Sequence, residues 1–347
     1  MIMSGDFTIA GETVPKGETR KLEIPFGRLY TDIDMHLPVY IKRGKREGPT
    51  LFVTATVHGD ELNGIEIISR LIKSKRIAPL KGTLIAVPLV NAYGVLNQSR
   101  YLPDRRDLNR SFPGSKKGSL AGRIANLLLD EVVSKCDYGI DLHTGAIHRS
   151  NLPQIRANLE DDETLRLAKS FGVPVLLNSE LRDGSLREAA NEIGTKVLLY
   201  EAGEALRFDE LSIYSGYRGI LNVMVELGML SKRKTSKASV EPFVAKHSAW
   251  MRATTSGIVT NKKRLGDYVT KGEILAYIKD PFGEIIDKVT AKVEGIIIGQ
   301  QNIPLVHEGE AMFHIAYFKT PDDVVENIEL LQDNIAIEGQ QSRETLI

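Results

Sequence analysis

One cysteine, Cys136, stands among 347 residues. No disulfide can form within the chain and no thiolate metal cluster can be built, which fits a reducing compartment. Cys136 itself reads as a small buried apolar residue. Long apolar runs are also missing. No stretch approaches the ~20 residues that cross a bilayer, and the opening "MIMSGDFTIAGETV" places Asp6 where a secretory signal needs a continuous apolar core. A soluble, cytoplasmic protein is expected. Net charge is the third absence. The 45 Lys and Arg are matched by 45 Asp and Glu, so no general field gathers nucleic acid or anionic lipid, and any charge selectivity must be local. The expected partner is a small molecule, not a nucleic acid or a membrane. Without long repeats or low-complexity tracts, a chain of this length forms one large domain with a smaller companion, or two ordinary domains.

What is present falls into distinct textures. The first ~45 residues are rich in β-type residues. From Thr50 to Leu230, short runs such as "TLFVTATV", "GTLIAVPLV", "DYGIDL", "VPVLL" and "TKVLLY" read as strands. Between them, "ELNGIEIISRLIKS", "SLAGRIANLLLDEVVSKC", "DETLRLAKSF" and "DELSIYSGYRGILNVMVELGML" carry the three-and-four spacing of half-buried helices. This alternation predicts an α/β fold: a mostly parallel or mixed sheet with helices on both faces, spanning residues 1–231. A basic, polar linker is expected at 232–240. Beyond it, glycine-punctuated short strands resemble the small β-sandwich of biotinyl and lipoyl carrier domains, so a C-terminal all-β barrel-sandwich is expected at 241–325, followed by a tail at 326–347. Carriers need a lysine at the hairpin tip; here the tip reads "DPFG", with Lys279 before it and Lys288 in the next strand.

Three of the strand-like runs end in a side chain suited to metal or proton chemistry. They are His58 in "TATVHGDE", His143 in "GIDLHTG" and Glu201 in "VLLYEAGE". In an open α/β sheet such ends converge on the crevice where ligands bind. Catalytic zinc commonly takes three protein ligands and leaves a position for water. His58 and Glu61, three apart, can approach from one loop and helix start, and His143 can complete the set from a neighbouring strand. A bound divalent ion lowers the pKa of water from ~15.7 to ~7, an effect on the order of 12 kcal/mol that no charged side chain matches. A second island, "NQSRYLPDRRDLNRSFPG" from Asn97 to Gly114, has the length and turn residues of a functional loop. Arg110 offers a planar fork for a carboxylate, Asn109 adds amide donors, and Arg100 could polarise a carbonyl. Arg106 either touches substrate or, with Arg105 and Asp107, orders the loop through ion pairs.

"HGDE" with "DLHTG", and "SRY" followed by "RDLNRSFPG", resemble the succinylglutamate desuccinylase and aspartoacylase family, relatives of the zinc carboxypeptidases. The resemblance covers about Thr50 to Leu230. It implies that His58, Glu61 and His143 hold one zinc ion, that Glu201 is the general base and acid, that Arg100 stabilises the oxyanion, and that Asn109 with Arg110 binds a substrate carboxylate. Glu204 is the alternative base. His148 reads as a solvated loop residue, and His36, His247, His307 and His314 as structural. The expected activity is zinc-dependent removal of an acyl group from a small N-acyl amino acid or related amide carrying a free carboxylate. Trimming of short peptides by a carboxypeptidase is the alternative within the enzyme class. A non-catalytic carrier or binding protein is the alternative outside it. Assembly into a homo-oligomer is left open.

Overall fold

A computed structural model describes residues 7–179, 181–232 and 241–317. All of the expected linker but Lys232, and all of the expected tail, lie outside the described residues. From the N-terminus, β1 (Phe7–Ile9) pairs with β2 (Glu12–Val14), and β3 (Thr19–Arg28) with β4 (Asp34–Arg43). Then follow β5 (Arg46–Ala55), α1 (Asn63–Lys73), β6 (Lys81–Val87), α2 (Ala92–Leu96), α3 (Leu120–Glu131) and β7 (Tyr138–Gly145). β8 (Arg149–Ala157), α4 (Asp162–Phe171), β9 (Val175–Asn178), α5 (Leu186–Glu192), β10 (Lys196–Glu204) and α6 (Glu210–Glu226) complete the alternating part. The strands after the linker are β11 (Phe243–Ala245), β12 (His247–Arg252), β13 (Gly257–Asn261), β14 (Tyr268–Val269), β15 (Ile274–Lys279), β16 (Ile285–Thr290), β17 (Gly295–Gln301), β18 (Leu305–Val306) and β19 (Ala311–Tyr317). The mixed α/β fold with a C-terminal β region is thus present. Among the described residues, no helix is long and apolar enough to cross a membrane.

The chain divides into two compact units. The first takes in residues 7–143, 181–200 and 216–232. Its strands run in the order β3-β4-β6-β5-β7, with the start of β10 beside β7. β5 is parallel to β6 and to β7, while β4 is antiparallel to β6. β4 reads "DMHLPVYIKR", and its alternation buries Met35, Leu37, Val39 and Ile41 on one face only. β6 and β7 are buried along nearly their whole length; β6 does so through its apolar run "LIAV", whereas β7 carries Asp141, His143 and Thr144 into the interior. α1 turns Ile67, Ile68 and Leu71 into this core, each contributing about 1.5–3 kcal/mol by leaving water. Its Gly64 touches the sheet directly: a Cβ there would lie 2.5 Å from Ala55 Cβ and 3.0 Å from Leu142 Cβ. Cys136 is buried, its Sγ donating to the Val132 carbonyl at 3.2 Å.

The second unit holds residues 144–179, 201–215 and 241–317. Here β8 is the hinge of two directions. It pairs in parallel with β9, which pairs with β11, and antiparallel with β17, which continues to β19 and β12. A four-stranded antiparallel sheet, β16-β15-β13-β18, packs on these strands through Met251, Leu275, Ile278, Val289, Ile297, Phe313 and Ile315, giving a small two-layer sandwich. α4 starts on an Asp161 cap, whose Oδ1 accepts from the Thr164 amide at 2.8 Å, and ends on Gly172 at φ 84°. The expected hairpin tip closes through the Asp280 carboxylate, which accepts the amides of Phe282 and Glu284 at 2.9 Å each.

Candidate active site

The site begins where β5 stops. Thr56 has φ 55°, a conformation that a β-branched residue adopts only when its surroundings enforce it. The enforcement is visible: the amides of Val90 and Asn91 donate to the carbonyls of Ala55 and Thr56 at 3.2 and 3.0 Å. The bend sends the chain into a turn in which the Glu61 amide donates to the His58 carbonyl at 3.2 Å, just ahead of α1. Gly59 packs this turn backbone to backbone against α2, since a Cβ there would fall 2.1 Å from the Gly94 carbonyl carbon. His143 arrives from β7. The parallel register Ala55↔Leu142 sets it beside the β5 exit.

Together these elements bring His58, Glu61 and His143 into one buried cluster. His58 Nδ1 lies 2.7 Å from Glu61 Oε1, His143 Nδ1 lies 2.7 Å from Glu61 Oε2, and the two Nδ1 atoms are 3.2 Å apart. Each imidazole is held from behind. His143 Nε2 faces Asp141 Oδ2 at 2.7 Å, and His58 Nε2 faces Asp107 Oδ1 at 3.2 Å. Asp141 is in turn fixed by the Thr54 hydroxyl, which donates to Oδ1 at 2.7 Å. Arg100 lies over the group, its Nη2 donating to Asp107 Oδ2 at 3.0 Å and its Nη1 to Glu61 Oε1 at 3.4 Å.

This donor set fits a metal ion. Ionised carboxylates only accept, so in neutral imidazoles Asp107 and Asp141 keep the ring protons on Nε2. Both Nδ1 lone pairs then point inward beside the Glu61 oxygens, an arrangement that suits a cation between them. Two ligands at tetrahedral zinc distances stand ~3.3 Å from one another, close to the spacing of the two nitrogens. The electrostatics agree. Burial alone would keep both histidines neutral, yet Glu61 with Asp107 raises the pKa of His58, and Asp141 with Glu61 raises that of His143 well above the ordinary value. Burial likewise opposes ionisation of Glu61 and Asp107, but their histidine partners, and Arg100 beside Asp107, hold both well below the usual carboxylate range. Asp60, next in the chain, is pushed up by burial and by Glu61. The cluster's field favours positive charge where the Nδ1 atoms converge.

The other expected residues are placed as follows. Asn109 and Arg110 lie in the short 3-10 turn Leu108–Arg110, directly after Asp107. Asn109 is buried and its Oδ1 accepts the Leu186 amide at 2.9 Å, while the Arg110 guanidinium donates to the Asn109 carbonyl. The Arg106 side chain is 62% exposed, 3.9 Å from Asp104. In the second unit, Glu201 Oε2 accepts from Asn151 Nδ2 at 2.6 Å, and Arg156 Nε lies 3.9 Å from Oε1. Glu204 is engaged in tying loops, accepting the His148 amide at 3.0 Å and Asn302 Nδ2 at 2.8 Å. Sequence reasoning missed Asp141, although in a strand the pattern Asp-x-His puts both side chains on one face. It read Asp107 only as a loop ion-pair partner.

Fold and cluster together define a mixed α/β protein with a metal-competent His–Glu–His centre. Residues 47–227 match the succinylglutamate desuccinylase/aspartoacylase catalytic domain, and the chain belongs to that family. The N-alpha-acetyl-L-2,4-diaminobutyric acid deacetylase of Halomonas elongata is 28% identical over 288 residues, covering 80% of this chain and 84% of that protein. The product-bound ectoine utilization protein EutE (DoeB) from Ruegeria pomeroyi superposes with a TM-score of 0.77 at 22% identity, over 86% of this chain and 95% of its own. A succinylglutamate desuccinylase/aspartoacylase from Rhodobacter sphaeroides gives 0.74 at 24% identity, over 86% and 96%. These structural likenesses show the shared fold.

Proposed function

We propose that this protein is a zinc-dependent amidohydrolase that removes an acyl group from a small N-acyl amino acid. The observation that carries this reading is the convergence of two imidazole Nδ1 atoms and one carboxylate, each imidazole backed by an aspartate. The diaminobutyrate deacetylase relative supports the deacylase reading and makes an acetyl group the first acyl group to try. His58, Glu61 and His143 hold the ion. When bound, a divalent ion supplies Lewis acidity, polarising the amide carbonyl and easing deprotonation of water.

The chain's own groups do the rest. Glu201 accepts the proton of the attacking water and returns it to the leaving amine. The Arg100 guanidinium meets the negative charge that develops on the carbonyl oxygen, a charge absent in the bound amide, so its contribution favours the transition state. Its hold on Asp107 and Glu61 keeps it in place for that task. Asn109 and Arg110 take the substrate carboxylate, and Arg106, on the exposed side of the loop, reaches it from outside. The products are a carboxylic acid and a free amine. The test is metal analysis of the purified protein followed by a panel of N-acyl amino acids, N-alpha-acetyl-L-2,4-diaminobutyric acid among them, and short peptides, with and without chelator. Stoichiometric zinc and chelator-sensitive deacylation support the reading. Full turnover in metal-free protein, or cleavage of peptides alone, refutes it.

A further inference from the structure

The side chain that faces Glu201 ends a row running across the second unit. Trp250 on β12 lies opposite His314 on β19, His314 opposite Gly299 on β17, and Gly299 opposite Asn151 on β8. Directly opposed residues of a sheet share a face. Trp250 and His314 stack with ring centroids 4.4 Å apart and planes 6° apart, and the Arg149 guanidinium carbon lies 5.3 Å from the Trp250 ring centroid. The far end of the row is the 2.6 Å hydrogen bond from Asn151 Nδ2 to Glu201 Oε2. Position 299 is its gap. A Cβ there would stand 3.0 Å from His314 Cβ, 3.1 Å from Asn151 Oδ1 and 3.6 Å from the Trp250 ring. Glycine lets the Asn151 amide lie close against β17 with its Nδ2 turned toward the carboxylate.

We infer that Asn151 is a positioning residue for Glu201, and that the C-terminal β region sets the place of Asn151 through Gly299. The inference rests on the reading of Glu201 as the proton-transfer group. A glutamate side chain has rotamer freedom that a base must lose before it can meet a proton repeatedly in one geometry. Anchoring Oε2 leaves Oε1, which has Arg156 Nε at 3.9 Å, beyond hydrogen-bond distance, as the working oxygen. An amide suits this task because it donates without titrating, whereas a cation at the same distance would make the carboxylate a weaker base. The C-terminal strands thereby act on the chemistry itself.

The test uses the full-length, metal-loaded protein and steady-state kinetics on its fastest N-acyl amino acid, with Glu201→Gln run in parallel. Asn151→Ala should lower kcat roughly ten- to a hundredfold, the usual cost of losing a hydrogen bond to a charged group. KM should move less than about threefold, since substrate binding is untouched, and metal content and melting temperature should be retained. Asn151→Ser, which keeps a donor, should recover part of the loss. Gly299→Ala should lower kcat in the same direction and add little to Asn151→Ala in the double variant, because both act through one contact. Unchanged kcat in Asn151→Ala while Glu201→Gln is impaired overturns the inference, as does a loss confined to KM or full additivity with Gly299→Ala. Full turnover in Glu201→Gln removes the base reading itself, and this inference with it.

Discussion

The metal-competent cluster and the surroundings of Glu201 are held in different ways. In the first unit the cluster is braced from behind mostly by charged partners: His58 by Asp107, His143 by Asp141, Asp107 by Arg100. In the second unit Glu201 has one neutral amide as its hydrogen-bonding neighbour and a guanidinium nitrogen at 3.9 Å. A cation needs a fixed, strongly negative pocket, and the carboxylates of Glu61, Asp107 and Asp141 around the two imidazoles supply one. The base proposed at Glu201 would need the opposite, a carboxylate free to gain and lose a proton, and strong ion pairing would suppress that.

The contrast can be broken at either end. The largest effect is expected from His143→Ala, which removes one of the three proposed ligand donors and leaves buried Asp141 without its imidazole partner; metal content and turnover should fall to background together. Metal retained at full occupancy would show that the centre lies elsewhere. Next comes Glu201→Gln, which preserves size and hydrogen bonding. It should lower kcat by ~10²–10⁴ with metal unchanged by elemental analysis, and loss of metal would make Glu201 a ligand. Asp141→Asn weakens the acceptor behind His143 without emptying the space. Metal affinity, followed by competition with a chromogenic chelator, should drop about 10–100-fold; an unchanged affinity would make Asp141 a packing residue. Gly64→Ala is the smallest. The new Cβ favours helix by about 0.5–1 kcal/mol but meets Ala55 and Leu142 inside contact distance, an overpacking that costs roughly 1–3 kcal/mol. Thermal unfolding should show net destabilisation. A rise in the midpoint would mean that α1 can shift on the sheet at no cost.

How much of this was legible from residues alone depends on whether the signal is local. β5, β7, β10, α1, α4 and α6 were readable because strand and helix periodicity is written within ten or twenty residues. His58, Glu61, His143 and Arg100 each sit in a short motif, so they could be singled out as candidates, and the structure places the four side chains together. β8 was not foreseen. "RSNLPQIRA" is interrupted by Asn151, Pro153 and Gln154, and it becomes a strand through its neighbours: Gln154–Ala157 pair with β9, while Arg149–Asn151 pair with β17, some 150 residues later in the chain. Asn151 was invisible for the same reason, since its meaning depends on a register that no nearby residue encodes. Asp107 was read as a loop ion pair. Its contact with Arg100 is one, but its second oxygen faces His58, and a loop sequence does not say which way a carboxylate turns.

The bend at Thr56 has a bearing on how the molecule is made. His58 and His143 are 85 positions apart, so no shorter segment holds the cluster; it closes where β5 meets β7, a long-range pairing whose loop-closure cost is met by sheet burial. The clamp on Thr56 comes from the chain just after β6, so that segment too must be in place before the turn adopts its shape. The shape of the cluster is therefore set by sheet contacts, unlike that of the zinc finger, in which metal binding supplies the folding energy.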